Sequence, residues 1–303
     1  MPYCFPAGSR FGADNLVLHA SARRHVLNDL PGPLSIKTVI DGRVAWTNGG
    51  QRFEVDHDSF LVLGDGERYS MNIDEPKPVT TCCVFFRGGF VEQAAQDATT
   101  PLESALDNPA RKAPPLLFLS RLHPGGHGEM LRRVHSLAPR CAAELQPSSF
   151  EQDFFELAHD LLGLYSEVTA QMARVPAAKA STREELFRRL QLARQFLHDH
   201  SGDQASLEQA ARAAWLSPYH FHRAFRQAFG ETPHAWLTSI RLARARESLG
   251  AGRTVLEACL ESGFSSEASF SRLFRSRFGV APSSLRWKRN SQDRTSDARE
   301  SGS

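Results

Sequence analysis

Four side chains with hydrogen-bonding groups fall on one face of a short predicted helix. At 100° per residue they cluster away from a stripe of phenylalanines, and they are Tyr219, His222, Arg223 and Arg226. A phenol, an imidazole and two guanidinium groups are long donors that suit base edges and phosphate oxygens. The pattern predicts a surface that recognises a polyanion, provided that neighbouring elements hold the opposite face in a core.

The helix that carries these side chains has clear start and stop signals. Ser217 followed by Pro218 predicts its beginning, because a serine oxygen caps free N–H groups and proline already has a helical φ. Gly230 predicts its end. The opposite face carries Phe221, Phe225 and Phe229. An earlier short helix, capped by Ser206, would pack beneath it, so the sequence predicts a helix-turn-helix unit.

The same unit occurs twice, displaced by 49 positions. Residues of the same type coincide at Leu207/Leu256, Glu208/Glu257, Phe221/Phe270, Arg223/Arg272, Phe225/Phe274, Phe229/Phe278, Gly230/Gly279 and Pro233/Pro282. In the second copy Thr254 caps the first helix, Gly263 lies at the turn, and Ser265 or Ser266 caps the second helix. The outward residues there are Ala268, Ser271, Arg272 and Arg275. This smaller face predicts less base reading and proportionally more phosphate contact.

A third predicted helix, residues 233–249, connects the two copies. About 17 residues at about 1.5 Å per residue give a rod of about 25 Å. Such a rod predicts two recognition helices about one DNA turn, roughly 34 Å, apart on one face of the duplex. A solenoid scaffold is the alternative, but two repeats are too few for one and the outer faces are basic.

The stretch from about Leu186 to Lys288 resembles the DNA-binding domain of the AraC/XylS family of bacterial transcription regulators. The resemblance rests on the runs LSPYHFHRAFRQAFGETPHAWL, IRLARARESL and GFSSEASFSRLFRSRFGVAPSSLR. It implies double-stranded DNA and RNA polymerase as partners. It also implies base contacts from Tyr219, His222 and Arg223, and from Ala268, Ser271 and Arg272. Ala268 has no donor, which leaves packing on a thymine methyl.

The charge distribution agrees with this expectation. Residues 181–290 hold 17 Lys/Arg and 10 Asp/Glu, whereas residues 1–180 hold 17 and 21, within an overall net charge of +2. All but one of the 17 basic residues are arginines, which suit bidentate contacts with guanine or phosphate. The basic third of the chain is therefore the part expected to meet a phosphate backbone.

The five cysteines predict reduced, mostly buried thiols, because they are scattered and form no C-x-x-C pair. The alternative is a redox switch at Cys82 or Cys83, which would point to opposite faces of one strand. The N-terminus lacks a basic lead before an apolar core, and no run approaches 18 apolar residues. These features predict a cytoplasmic protein with no membrane span.

Residues 35–90 consist of short β-rich runs broken by Gly, Asn and Asp, after a loop-rich extended segment at residues 1–34. They predict a small antiparallel barrel or sandwich, similar to the cupin-like sensor barrel often found ahead of this DNA-binding domain. Residues 120–172 predict flanking helices, one of which could pair with its copy in a homodimer. The expected fold is α+β, with an N-terminal cupin-like antiparallel β-barrel and flanking helices and a C-terminal all-α double helix-turn-helix domain.

Composition also predicts the domain boundaries. Residues 1–172 form the sensor or dimerisation domain, and 173–184 form an Ala/Pro/Ser-rich linker. Residues 185–289 form the DNA-binding domain, which opens with a helix from Glu185 to His200. Residues 290–303 are polar and predict a disordered tail.

The predicted barrel offers few groups for catalysis. Metal-binding cupins bring two histidines and a carboxylate together, whereas the strand region holds only His57. We therefore expect no metal, no cofactor and no catalytic residue. Trp46 and Tyr69 combine apolar faces with polar tips and are the candidates for a small-molecule pocket. Ordinary core packing is the alternative for both.

Together these patterns predict a sequence-specific DNA-binding transcription regulator controlled by a small-molecule effector in the barrel. A regulator controlled by a partner protein or by its own abundance is one alternative. A cupin-type enzyme fused to a DNA-binding module is another, although the sequence contains no converging ligand set for it.

Overall fold

The computed structural model describes residues 3–5, 9–99, 122–124, 128–142, 150–202 and 205–285. The chain divides into two compact units, Met1–Ala173 and Arg174–Ser303. The first is an antiparallel barrel with helices and the second is entirely helical, so the expected fold class is confirmed. The predicted tail at 290–303 lies outside the described residues.

The sheet of the first unit is antiparallel throughout. Its path is β1-β2-β7-β3-β6-β8, and β4 pairs with both β5 and β7. The strands are β1 (Tyr3–Phe5), β2 (Leu16–Pro31), β3 (Ser35–Asp41), β4 (Val44–Asn48), β5 (Gln51–Val55), β6 (Ser59–Leu63), β7 (Arg68–Phe85) and β8 (Leu122–Pro124).

The prediction of a loop-rich segment at residues 1–34 was wrong for residues 16–31, which form β2. Pro31 ends this strand and Pro33 follows it, so neither interrupts the ladder that runs from Leu16↔Phe85 to Pro31↔Arg68. Its partner β7 is a single strand of 18 residues, longer than the short runs expected for residues 35–90. The pairing skips residues 75–78 between Ala22↔Val79 and Arg24↔Asp74, and this irregularity accommodates two prolines.

Alternate residues of β3, β6 and β7 face two different layers. One face lines the barrel core, which includes Val39, Leu61, Leu63, Cys83 and Phe85. The other face meets the helices: Cys82 Sγ lies 3.5 Å from the carbonyl oxygen of Val134, and the rings of Phe86 and Phe154 are 6.2 Å apart. Adjacent cysteines therefore point to opposite sides of β7, as the sequence predicts.

In the described parts of the first unit, three helices flank the barrel: α1 (Phe90–Thr99), α2 (Gly128–Ala142) and α3 (Glu151–Ala173). The apolar stripe of α3 is buried within this unit at Phe154, Leu157, Leu161 and Leu164. Between α2 and α3, Arg133 pairs with Glu156 and Asp160, and Arg140 pairs with Asp153 at 2.7 Å. Packing inside the unit therefore accounts for most of the stripe.

The second unit contains six helices within residues 180–278: α4 (Ala180–Asp199), α5 (Leu207–Ala213), α6 (Pro218–Phe229), α7 (Pro233–Gly250), α8 (Val255–Glu261) and α9 (Glu267–Phe278). Helix α4 begins five residues before the predicted Glu185, so the expected linker at 173–184 was wrong over its last five residues. Glu185 pairs there with Arg188 and with Arg189, which supports the first turns of the helix.

The long helix α7 is shared by two half-domains. Helices α4 and α6 pack against α7, and the rings of Phe225 on α6 and Trp236 near the start of α7 are 6.2 Å apart. Helices α8 and α9 pack with its second half, where Leu242, Ala245 and Leu249 join the core of the second copy. With 18 residues it is about 27 Å long, close to the expected rod.

Candidate nucleic-acid interface

The predicted recognition helices α6 and α9 begin and end on the expected signals. Ser217 caps α6 by accepting a hydrogen bond from the His220 N–H group, Pro218 occupies the first turn, and Gly230 ends the helix at a φ of 80°. Helix α9 repeats this plan, with Ser266 as the N-cap and Gly279 at a φ of 73°. Of the two serines considered, Ser266 is the cap.

The two helices bury the same ladder of rings. Phe221 and Phe225 are 5.5 Å apart between ring centroids and Phe225 and Phe229 are 4.6 Å apart. The corresponding distances for Phe270, Phe274 and Phe278 are 5.5 and 4.6 Å. The first two rings of each ladder are buried and the third is partly buried. The inward orientation of both stripes is therefore confirmed.

With the phenylalanines inside, the polar side chains of α6 face solvent. Tyr219 is 78% exposed, and His222, Arg223 and Arg226 are also exposed. On α9, Ala268, Arg272 and Arg275 are exposed, whereas Ser271 is only partly so. All seven candidate DNA-binding residues thus lie on the two outer faces, and the α6 face carries the larger groups.

The internal repeat is not a uniform displacement of 49. Ser206 and Thr254 are the equivalent N-caps of α5 and α8, each in a capping box with the residue three positions on, which is a displacement of 48. The second helices keep the displacement of 49, from Ser217 to Ser266. The prediction that Leu207 matches Leu256 was wrong, because the second copy has one more residue between the helices.

This shift aligns Trp215 with Gly263 at the turn. Their N–H groups donate to the carbonyls of Arg212 and Leu260 at 2.9 and 3.0 Å. Both residues are left-handed, with φ of 56° and 78°. The requirement for a positive φ at Gly263 is confirmed, whereas the first copy meets the same requirement with a tryptophan. The sequence signal for this was the mismatch of Trp and Gly in an otherwise similar turn.

A family model described as a helix-turn-helix domain matches residues 210–288, which include α6 and α9. The virulence regulon transcriptional activator VirF of Yersinia enterocolitica is 24% identical over 250 residues, covering 82% of this chain and 87% of VirF. The transcriptional activator RhaS of Escherichia coli is 34% identical over 103 residues, covering 34% of this chain and 37% of RhaS. Residues 210–288 therefore form an AraC-type helix-turn-helix domain.

Among solved structures, unsaturated fatty acid bound ToxT from Vibrio cholerae aligns with 92% of this chain and 97% of its own. The identity is 14% and the TM-score is 0.35. No helix in the described part of the chain is long and apolar enough to cross a bilayer.

In the barrel of the first unit, the two candidate ligand residues lie in the core. Trp46 is 1% exposed and Tyr69 is 4% exposed, and both belong to one cluster of buried side chains. Their neighbours along β4 and β7, including Ala45, Thr47 and Ser70, line a cleft of about 670 Å³ at the sheet surface. Since side chains alternate along a strand, the cleft and the aromatic core use opposite faces.

One buried lysine in this core carried no recognisable signal in the sequence. Lys37 on β3 is 1% exposed, and its Nζ lies 4.2 Å from the ring centroid of Tyr69 and 3.7 Å from that of Phe85. It pairs in register with Cys83. Burial lowers the pKa of Lys37 to about 7, because the charged ammonium loses its hydration. Only its inward place in the alternation of β3 could have indicated this position.

Proposed function

We propose that this AraC-family protein regulates transcription by binding specific DNA sites through α6 and α9. The observation that carries the proposal is the duplicated geometry: each helix buries a phenylalanine ladder and exposes arginines on the opposite side. Arg223 and Arg272 are the proposed readers of guanine, because a guanidinium group can donate two hydrogen bonds to its O6 and N7 atoms. Arg226 and Arg275 are the proposed phosphate contacts.

The two helices would read unequal half-sites. Tyr219 and His222 give α6 two further polar groups, whereas the equivalent positions of α9 are Ala268 and the partly buried Ser271. Direct base reading should therefore be concentrated under α6. If α7 spaces the helices as its length suggests, the two half-sites lie about one helical turn, roughly 10 base pairs, apart.

The test begins with selection of duplexes from a random pool by the purified full-length protein. We expect enrichment of a site with one strongly and one weakly constrained half. Arg223→Ala should weaken binding to that site by about 1–3 kcal/mol and relax preference at one base pair, with little change on scrambled DNA. Failure to enrich any sequence, with and without extract from the source cells, would contradict the proposal.

A small-molecule effector is proposed to act through the barrel. The cleft beside β4 and β7 has the volume of a small-ligand site, and ligand there would contact the strands that hold Trp46 and Tyr69. An effector can alter regulation only by binding DNA-competent and incompetent states with different affinity. A thermal-shift screen of metabolites tests this, and Trp46→Phe and Tyr69→Phe should change the response if both rings support the site.

We also propose that the protein contacts RNA polymerase at the promoter and pairs with a second copy of the chain. Both interactions would take place in the cytoplasm. Control by a partner protein is the competing interpretation, and a metabolite screen without response would favour it. Metal analysis of the purified protein tests the alternative that the barrel is a cupin-type enzyme. A stoichiometric transition metal would favour that alternative.

A further inference from the structure

Trp215, in the turn between α5 and α6, combines two unfavourable features. Its side chain is 80% exposed, and its backbone has a φ of 56°. A large side chain at positive φ is sterically strained, and an indole in water gains nothing from burial. A residue with both features destabilises the folded chain. We therefore look for its role in contact with another molecule.

The second copy shows that the turn does not need this side chain. Gly263 occupies the same position at a φ of 78°. The following residues, Leu216 and Phe264, donate equivalent hydrogen bonds to Ala211 and Cys259, at 2.9 and 3.0 Å. Glycine therefore supports the same turn hydrogen bonds and the same left-handed conformation without strain. The tryptophan is an addition to the first copy and not a requirement of the fold.

The surroundings of Trp215 favour a nucleic-acid partner. It lies two residues before the Ser217 N-cap and four before Tyr219, at the end of α6 where backbone N–H groups and the helix dipole attract phosphate. Arg212 and Arg223, on either side of it in sequence, are exposed and could contact phosphate. An indole offers one N–H donor and a flat apolar face, which together match a phosphate oxygen and the deoxyribose beside it.

We propose that Trp215 contacts the DNA backbone at the edge of the groove that α6 enters, with Nε1–H donating to a phosphate and the ring packing on a sugar. This inference rests on the proposed DNA-binding function. The contact would fix the register of the first unit on the duplex and add affinity without sequence preference. The second unit, with glycine at this place, would lack that anchor.

The decisive variant is Trp215→Gly in the full-length protein. We expect an equal or higher melting temperature, because the strained residue is replaced by one suited to positive φ. Affinity should fall about tenfold on both the selected duplex and a scrambled duplex. The salt dependence should stay close to that of the wild type, since a neutral donor releases no counterion. The DNA affinity of Trp215→Phe, which keeps a ring but loses the N–H group, should lie between those of the wild type and Trp215→Gly.

Trp215→Asn provides a second variant if the glycine disturbs the turn, because asparagine tolerates the left-handed region. Arg223→Ala is the control for the proposed function itself. If Arg223→Ala weakens specific binding while Trp215→Gly and Trp215→Asn bind both duplexes like the wild type, the backbone contact is wrong and the function stands. If Arg223→Ala also has no effect, the proposed function fails first.

Two further results would overturn the Trp215 proposal. A clear drop in melting temperature for both turn variants would show that the indole is a packing residue. Unchanged DNA affinity with lost transcription in a reconstituted reaction would assign the ring to a protein partner. Conversely, the tryptophan fluorescence that Trp215→Phe removes should become protected from acrylamide when the selected duplex is added.

Discussion

Arg241 Nε donates a hydrogen bond to the backbone carbonyl of Ser201 at 2.9 Å. Arg244, one turn further along α7, donates to the carbonyl of His198 at 3.1 Å. Ser201 and His198 are buried and lie at the C-terminal end of α4, where carbonyl groups lack helical partners. Two arginines of the shared helix thus satisfy the end of the helix that opens the unit, and this contact orders the first half-domain against α7.

Removal of the first of these contacts should destabilise the helical unit. Arg241→Met leaves the Ser201 carbonyl without this donor, and we expect a loss of about 1.5–3 kcal/mol in the free energy of unfolding. The matched control is Arg253→Met, whose exposed ion pair with Glu261 at 3.4 Å should contribute under about 1 kcal/mol. Urea denaturation measures both. Equal effects would mean that the α4–α7 contact is not a stabilising one.

The glycine at the second turn faces the same carbonyl. A Cβ built on Gly263 would lie 2.7 Å from the Ser201 oxygen, in addition to the strain of a φ of 78°. Gly263→Ala should therefore lower the free energy of unfolding by roughly 3 kcal/mol or more, because the backbone at Ser201 or at position 263 must move. Gly279→Ala is the control, since its φ of 73° is similar but its Cβ meets nothing within 4 Å.

For Gly279→Ala we expect a loss of about 1 kcal/mol in the free energy of unfolding, because only the left-handed backbone disfavours alanine there. The comparison of the two variants separates the cost of the close contact with the Ser201 carbonyl from the cost of the left-handed backbone. Melting curves that place both alanine variants within error of each other would show that the turn of the second copy is not packed against the end of α4.

The buried Lys37 makes stability depend on pH. Its pKa is lowered from 10.5 to about 7, so between these values the unfolded chain holds a proton that the folded chain has lost. Stability should therefore rise as pH increases from about 7 to 10.5 and be flat below about 7, as far as this group is concerned. Lys37→Met should remove that slope and stabilise the barrel near pH 7.

At about 1.4 kcal/mol per pKa unit, the full effect of Lys37 below pH 7 is roughly 5 kcal/mol. Urea denaturation at several pH values between 6 and 10, for wild type and Lys37→Met, measures it. Lys77→Met, at an exposed position of β7, serves as the control and should follow the wild type. A methionine variant less stable than the wild type at pH 7 would contradict the burial argument.

Salt should affect the phosphate-contacting and the base-reading arginines differently. Arg275→Ala should weaken binding by a similar factor on all duplexes and reduce the salt slope by about one phosphate contact. Arg223→Ala should instead alter sequence preference with a smaller change in slope. Titrations at three salt concentrations on selected and scrambled DNA separate the two. An unchanged slope for Arg275→Ala would remove it from the phosphate contacts.

Most of the helical unit could be predicted from the sequence because its signals are local. A cap such as Ser217, a stop such as Gly230 and a phenylalanine stripe are properties of one helix, so periodicity reveals them. The start of α4 was misplaced by five residues because Lys179 provides no side-chain cap. The one-residue shift in the repeat was missed because identical letters at a displacement of 49 concealed equivalent caps at 48.

The barrel was predicted only in outline, because strand pairing joins residues distant in sequence. Residues 16–31 form a strand where a loop-rich segment was predicted, because the strand end and a pairing irregularity accommodate the prolines of β2 and β7. No local pattern marked Lys37, since its burial depends on rings contributed by β7, more than 30 positions away.

By itself, then, the order of residues determined which faces of α6 and α9 are apolar and where each helix ends, because those preferences act within a few turns of backbone. Only the folded chain decided that Trp215 and Gly263 occupy equivalent turns at positive φ, that Ser201 joins α4 to α7, and that an amine lies among aromatic rings. Those features arise from contacts between distant segments, whose geometry no local spacing can specify.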